Sequence, residues 1–152
     1  MTGKALAVGF GSHHADDQIG WRVAQELARR MPDIAVRVAS KPLDILHWLS
    51  GISRFLICDG CRGSGLPGTV RRWTWPAISI RQFTWNGTHD WGIVETLSLA
   101  DRLGCLPREV LLWTVETRYV SPSGPMSQEV EAAIPVVLGA MKAELANPTV
   151  DR

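Results

Sequence analysis

Little in this sequence points to a charged or membrane-bound partner. Its 152 residues carry 16 basic and 15 acidic side chains, a net charge of +1, so no bulk attraction to nucleic acid or to a membrane surface is expected. No apolar run approaches the roughly 20 residues of a membrane span. Met1-Thr2-Gly3-Lys4 leads into a short hydrophobic segment without the pattern of a secretory signal, and a cytoplasmic location is expected. There are three cysteines, Cys58, Cys61 and Cys105. That is an odd count for a disulfide-stapled secreted fold, so reduced thiols are expected. Repeats, low-complexity tracts and linkers are missing too. With 45% hydrophobic residues the chain can close one sizeable core and is too short for two ordinary domains, so residues 1–152 read as one domain.

What is present is an alternation of strands and helices. Ala5 to Phe10 is a short apolar run ending in glycines. From Asp16 onward Ile19, Val23 and Leu27 fall at helical spacing. Asp16 suits an N-cap, Asp17 the first turn, and Arg29 and Arg30 the last turn before Met31-Pro32. Ile34, Val36 and Val38 alternate as a second strand, and Pro42 opens a short helix closed by Gly51. Arg54 to Cys58 is a third strand whose unbroken apolar run suits a parallel sheet covered on both faces. After Asp59 comes a glycine-rich loop, followed by extended segments at Thr69–Trp75 and Ile78–Phe83. A helix from Asp90 carries Ile93, Leu97, Ala100 and Leu103 and meets Gly104. Val110–Val115 is another strand, and a last helix runs from near Ser127 through Val130, Ile134, Leu138, Met141 and Leu145. The expected fold is a three-layer α/β/α domain on a mostly parallel, twisted sheet of about five strands.

In open α/β sheets ligands bind outside the carboxyl ends of the strands. Three polar residues converge there: Asp17 after the first strand and its loop, Asp59 at the end of the third strand, and His89 ahead of the Asp90 helix. Two carboxylates and an imidazole suit a divalent transition metal such as nickel or zinc, with positions left for water or substrate. A helix N-terminus favours a negative Asp17 and the neutral imidazole that a metal needs. Taken singly, Asp17 reads as a first-turn acid, Asp59 as a turn former and His89 as a helix-start residue; it is their convergence that points to a metal.

At these residues the chain resembles the hydrogenase maturation endopeptidases, which trim the C-terminus of nickel-iron hydrogenase large subunits. The family opens with a strand into Gly-x-Gly-Asn, a spacer, an acidic pair and a glycine-containing helix start. Here that stretch reads VGFGSHHADDQIGWRVAQEL, with Asp17 as the second acid of the pair. The family's second acid ends a strand before a loop closing in Pro-Gly-Thr, and FLICDGCRGSGLPGTV puts Asp59 there. Its histidine heads a helix that ends in Gly-x-x-Pro before a strand, as in THDWGIVETLSLADRLGCLPREVLLWTVE with His89, and MSQEVEAAIPVVL resembles the closing helix. The resemblance covers nearly the whole chain. It implies an endopeptidase acting on a hydrogenase large-subunit precursor, with nickel already placed in that precursor as the recognition element and Asp17, Asp59 and His89 as both metal ligands and catalytic residues. Zinc or cadmium would stand in for nickel. The chain also departs from the family. The spacer His13-His14-Ala15 is one residue shorter, Ser12 replaces the usual Asn, Gln18 replaces a small residue, and Ala39-Ser40-Lys41-Pro42 stands where the family has a Gly-Thr-rich motif. A relative that binds a precursor in a metal-dependent way without cutting it is therefore the alternative.

Other signals are weaker. Gly9-x-Gly11 could open a dinucleotide fingerprint, but the third glycine position is His14 and no acid ends the second strand. Cys58 and Cys61 form a C-x-x-C without the helix that activates such pairs, and read as small residues beside the site. His13 and His14 read as solvated loop residues, Trp113 as core, and Trp85 and Trp91 as a possible apolar rim for a partner peptide. Ser64 lacks the strand-to-helix elbow of a serine hydrolase.

Overall fold

The unbroken apolar runs form the centre of a sheet. β1 (Lys4–Phe10), β3 (Ile52–Arg62) and β6 (Glu109–Glu116) lie side by side and parallel, with β2 (Ala35–Ala39) parallel along the outer side of β1. β4 (Val70–Thr74) runs antiparallel along β6, and the two-residue β5 (Thr84–Trp85) pairs antiparallel with the end of β3. The spatial order is β2-β1-β3-β6-β4, with β5 off that path. The computed structural model describes residues 3–63, 65–76, 84–85, 92–118 and 124–147, the pair 84–85 by backbone alone.

Period-two alternation divides the strand side chains between two cores. Ala7, Leu56, Leu111 and Trp113 pack against α1 (Ile19–Arg30) and α4 (Ala133–Ala146) through Val23, Leu27 and Val137. Leu6, Val8, Phe55, Ile57 and Leu112 pack on the opposite face against α2 (Ile93–Arg102) and the 3-10 helix Pro42–His47, through Ile93, Leu97 and Ile45. This is the expected three-layer α/β/α arrangement on a mostly parallel sheet. Phe55 and Trp113 are both fully buried, and each such side chain contributes about 2 kcal/mol or more by leaving water.

At the amino edge of the sheet the two layers are tied by a buried cation. Arg54 is 5% exposed. Its Nε donates to Glu109 Oε2 at 2.9 Å, its NH1 to Asn147 O at 2.9 Å and its NH2 to Glu144 O at 3.0 Å. A positive side chain thus meets the carbonyls that end α4, where the helix dipole is negative.

Several boundaries differ from the sequence reading. Asp16 does not cap α1, which starts at Ile19 behind a 3-10 turn at Ala15–Gln18. The last helix is two pieces, α3 (Gln128–Glu131) and α4, broken at Ala132. Pro135 explains the break, because its missing N–H and its ring both act against the carbonyl of Glu131 four residues earlier. Ser127 sits at the start of α3, but its hydroxyl is used elsewhere. β3 continues beyond Cys58 to Arg62, since Cys61 and Arg62 find a partner in β5. The segment Ile78–Phe83 and the start of the Asp90 helix lie outside the described residues, and α2 is described from Ile93, with Gly92 N–H donating to Glu95 Oε2 at 3.1 Å.

Candidate active site at the carboxyl edge of the sheet

Two glycines bring the first acid to the sheet. A Cβ on Gly20 would fall onto Phe10 O and come within 2.7 Å of Cys58 O. A Cβ on Gly11 would fall onto Asp17 O. The first turn of α1 therefore rests directly on the ends of β1 and β3, and Asp17 lies just ahead of it in the 3-10 turn. Ala15, two residues earlier, holds a left-handed φ of 45°. For a residue with a Cβ that conformation costs about 1 kcal/mol, and it is buried beside the acidic pair.

Asp17 has one oxygen engaged and one bare. Ser12 Oγ accepts His14 N–H at 3.2 Å and donates to Asp17 Oδ2 at 2.7 Å. Asp17 Oδ1 is buried with no hydrogen-bond partner among the described residues. Asp59 lies within β3 rather than at its end, and alternation places it on the same face as Phe55 and Ile57, the α2 side. It is 5% exposed, and its Oδ1 accepts Gly60 N–H at 2.8 Å. Burial, reinforced by the charge of Asp17, pushes the Asp59 carboxyl well above the usual carboxylate range, against the opposing pull of the Gly60 N–H. A bare buried carboxylate oxygen next to a second carboxyl that resists ionisation is a donor set that a cation would satisfy. His89 lies outside the described residues, as does Trp91, and only the backbone of Trp85 is described. Among the described residues no group of three His, Cys, Asp or Glu side chains comes together to hold a metal. The structure thus brings together Asp17 and Asp59 from the expected set.

Two buried acids that sequence reading passed over as site residues hold this edge in place. Asp16, fully buried, accepts Arg118 N–H at 2.7 Å and Ser127 Oγ–H at 2.9 Å on Oδ2, and Ser127 N–H at 2.6 Å on Oδ1. It ties the Asp17 turn to the segment leaving β6 and to the start of α3. Glu116, 6% exposed, ends β6 and lies opposite Cys61 in the ladder, on the same face as Asp59. The rule that singled out Asp59, an acid at the end of a buried strand, applies equally to Glu116. No local pattern marks Asp16, because its partners are more than a hundred residues away.

The C-x-x-C does not form a unit. Cys58 belongs to the α1 and α4 core, whereas Cys61 faces the other side of the sheet with its thiol 3.8 Å from Glu116 Oε2. Burial, with the charge of Asp59 nearby, pushes the Cys58 thiol far up. His13 is exposed and His14 half-buried, their rings 4.1 Å apart in the loop before Asp17. A cavity of about 620 Å³ lies at the amino edge beside Lys4, Asp33 and Arg54, the wrong end of the strands for this site.

Comparison with known proteins agrees with this fold. Residues 21–144 match the family HycI, hydrogenase maturation protease. This span is most of the chain, and the protein belongs to the hydrogenase maturation protease family. Among solved structures, it is similar to the hydrogenase maturating endopeptidase HybD from E. coli, with 21% identity, a TM-score of 0.79, and 93% of this chain and 91% of that one covered. The hydrogenase 2 maturation peptidase of a Thaumarchaeota archaeon is 25% identical with a TM-score of 0.71, covering 93% of this chain and 97% of that one. HybD from Thermococcus kodakarensis, a nickel-iron hydrogenase maturation protease, is 18% identical with a TM-score of 0.73, covering 95% and 99%. The likenesses below 25% identity speak for the fold alone. No curated protein sequence matches the chain.

Proposed function

We propose that this protein is the endopeptidase that removes the C-terminal extension of a hydrogenase large-subunit precursor once that precursor carries nickel. The observation that carries this reading is the pairing of the bare, buried Asp17 Oδ1 with the buried Asp59 carboxyl. The nickel is cargo of the substrate, and Asp17, Asp59 and His89 are its ligands on this side, with zinc or cadmium as stand-ins. Two close acids repel one another in the free protein, which gives it little reason to hold empty precursor, whereas a loaded one offsets that repulsion. Hydrolysis then adds water to the scissile carbonyl and releases the extension as a new amine; a metal ion near that carbonyl would polarise it or activate the water. Either carboxylate, once ionised, would serve as the base that takes the proton of that water. In this family context the partner is a protein chain, and no helix of the described residues is long and apolar enough to cross a membrane.

The test is precursor processing by Asp59→Ala and His89→Ala variants, checked for folding by circular dichroism. Both should fold and fail to cut; unchanged cleavage by either removes that residue from the assignment. Ala39-Ser40-Lys41-Pro42, in place of the family's Gly-Thr-rich motif, favours a second reading in which the loaded precursor is bound and released uncut. Stable, metal-dependent binding with no change in precursor mass would support it.

A further inference from the structure

A turn at the carboxyl edge is held by several hydrogen bonds, yet the proposed chemistry leaves it unused. Leu66-Pro67-Gly68-Thr69 closes on itself, with Thr69 N–H donating to Leu66 O at 3.0 Å and Thr69 Oγ also reaching that oxygen at 2.6 Å. Gly68, with φ at 88°, supplies the left-handed third position that follows a proline in a type II turn. A Cβ there would also come within 2.5 Å of Glu129 O, so the turn seats against the start of α3.

One residue fastens both stems of the loop that carries this turn. Gly68 N–H donates to Glu116 O at 2.8 Å and Glu116 N–H to Thr69 O at 2.9 Å. At the other stem Gly63 N–H donates to Glu116 Oε1 at 2.9 Å, and the Cys61 thiol faces Oε2. Glu116 is buried on the same face of the sheet as Asp59, whose own strand leads into Gly63. On this fixed turn stands Leu66, 80% exposed and the most exposed large apolar side chain among the described residues.

We infer that Glu116 is a positioning residue for the substrate: it holds the Leu66–Thr69 turn as a rigid wall at the carboxyl edge, across β6 from the strand that carries Asp59, against which the precursor's C-terminal segment lies, with Leu66 as the apolar contact. This rests on the endopeptidase reading for its substrate, but not for the clamp itself. The required property of residue 116 is reach to Gly63 N–H, not charge. Glu116→Gln keeps the reach and loses the charge, whereas Glu116→Asp keeps the charge and is one methylene too short.

Amide exchange at Gly63 and Gly68 in the free protein, with KM and kcat for nickel-loaded precursor, tests this. In Glu116→Asp, exchange at Gly63, whose N–H the side chain accepts, should quicken about tenfold, as expected for the loss of one buried hydrogen bond, while exchange in β1 is unchanged. KM should rise about tenfold with kcat within about threefold, and Glu116→Gln should match the wild type in both. Leu66→Ala should raise KM without quickening exchange. Unaltered exchange in Glu116→Asp overturns the clamp. A loosened turn with unchanged KM overturns its role toward substrate, and failure of Glu116→Gln with survival of Glu116→Asp shows that charge is what matters and overturns both. If the wild type cuts nothing, the endopeptidase reading falls and Kd for the same precursor replaces KM, with the same tenfold weakening expected and equal Kd overturning the inference. A wild type that neither cuts nor binds overturns both.

Discussion

Gly20→Ala tests how the site is built, because its consequence can be worked from one close approach. The new Cβ would sit 2.7 Å from Cys58 O and 2.8 Å from Phe10 N, with Phe10 O nearer still. Those neighbours are main-chain atoms of the two central strands, which cannot swing aside. Restoring ordinary contact near 3.4 Å with Phe10 O, the nearest of the three, requires α1 to lift by more than about 1 Å. Asp17 lies three residues upstream and must follow, so its carboxylate moves relative to Asp59. Overpacking of this kind costs about 1–3 kcal/mol, which for a chain of this size lowers Tm by roughly 3–10 °C. A displacement of about 1 Å in a catalytic group costs up to about 100-fold in rate. The assay pairs thermal unfolding with cleavage of nickel-loaded precursor. A variant with wild-type Tm and wild-type rate would refute the idea that the first turn of α1 sits hard on β1 and β3.

Three further outcomes follow from the same geometry. Burial and the charge of Asp17 raise the Asp59 carboxyl, so ionising it opposes folding; its contribution is fully favourable below the unfolded value near 3.9 and is lost as pH rises through the folded value. Asp59→Asn should therefore gain stability over the wild type progressively with rising pH in thermal unfolding, while losing cleavage, and a difference that shrinks with pH would contradict this. Arg54→Ala removes the buried partner of the half-buried Glu109 and Glu144, of which Glu144 keeps Arg72, and should cost about 2–3 kcal/mol in urea unfolding; a loss below about 1 kcal/mol would place the pair in the class of surface bridges. Of the three thiols, Cys105 is exposed and the other two are buried on opposite faces, so a native thiol titration should show one fast group and mild oxidant should form no Cys58–Cys61 disulfide.

Much of the fold was legible because it rests on short-range pattern. The runs at Ala5–Phe10, Arg54–Cys58 and Val110–Val115 became the three central strands, and Ile19, Val23 and Leu27 became one buried stripe of α1. The break at Ala132 was legible in principle from Pro135, but the apolar spacing on either side masks it. Less legible was anything decided by distant partners. Asp16 looked like a local helix cap and instead holds Arg118 and Ser127. Cys58 and Cys61 carry the spacing of a C-x-x-C, and three residues along a strand put them on opposite faces, which the spacing alone does not show. Asp17 and Asp59 were found because acids at the carboxyl edge of a parallel sheet stand out by position, and the same rule carried to the end of β6 reaches Glu116.

The central question is whether nickel in the precursor licenses cleavage. The direct measurement is the intact mass of a hydrogenase large-subunit precursor, nickel-loaded and nickel-free, before and after incubation with this protein. Loss of a C-terminal peptide from the loaded form alone is the predicted result. Equal cutting of both forms, or no cutting of either, would contradict it.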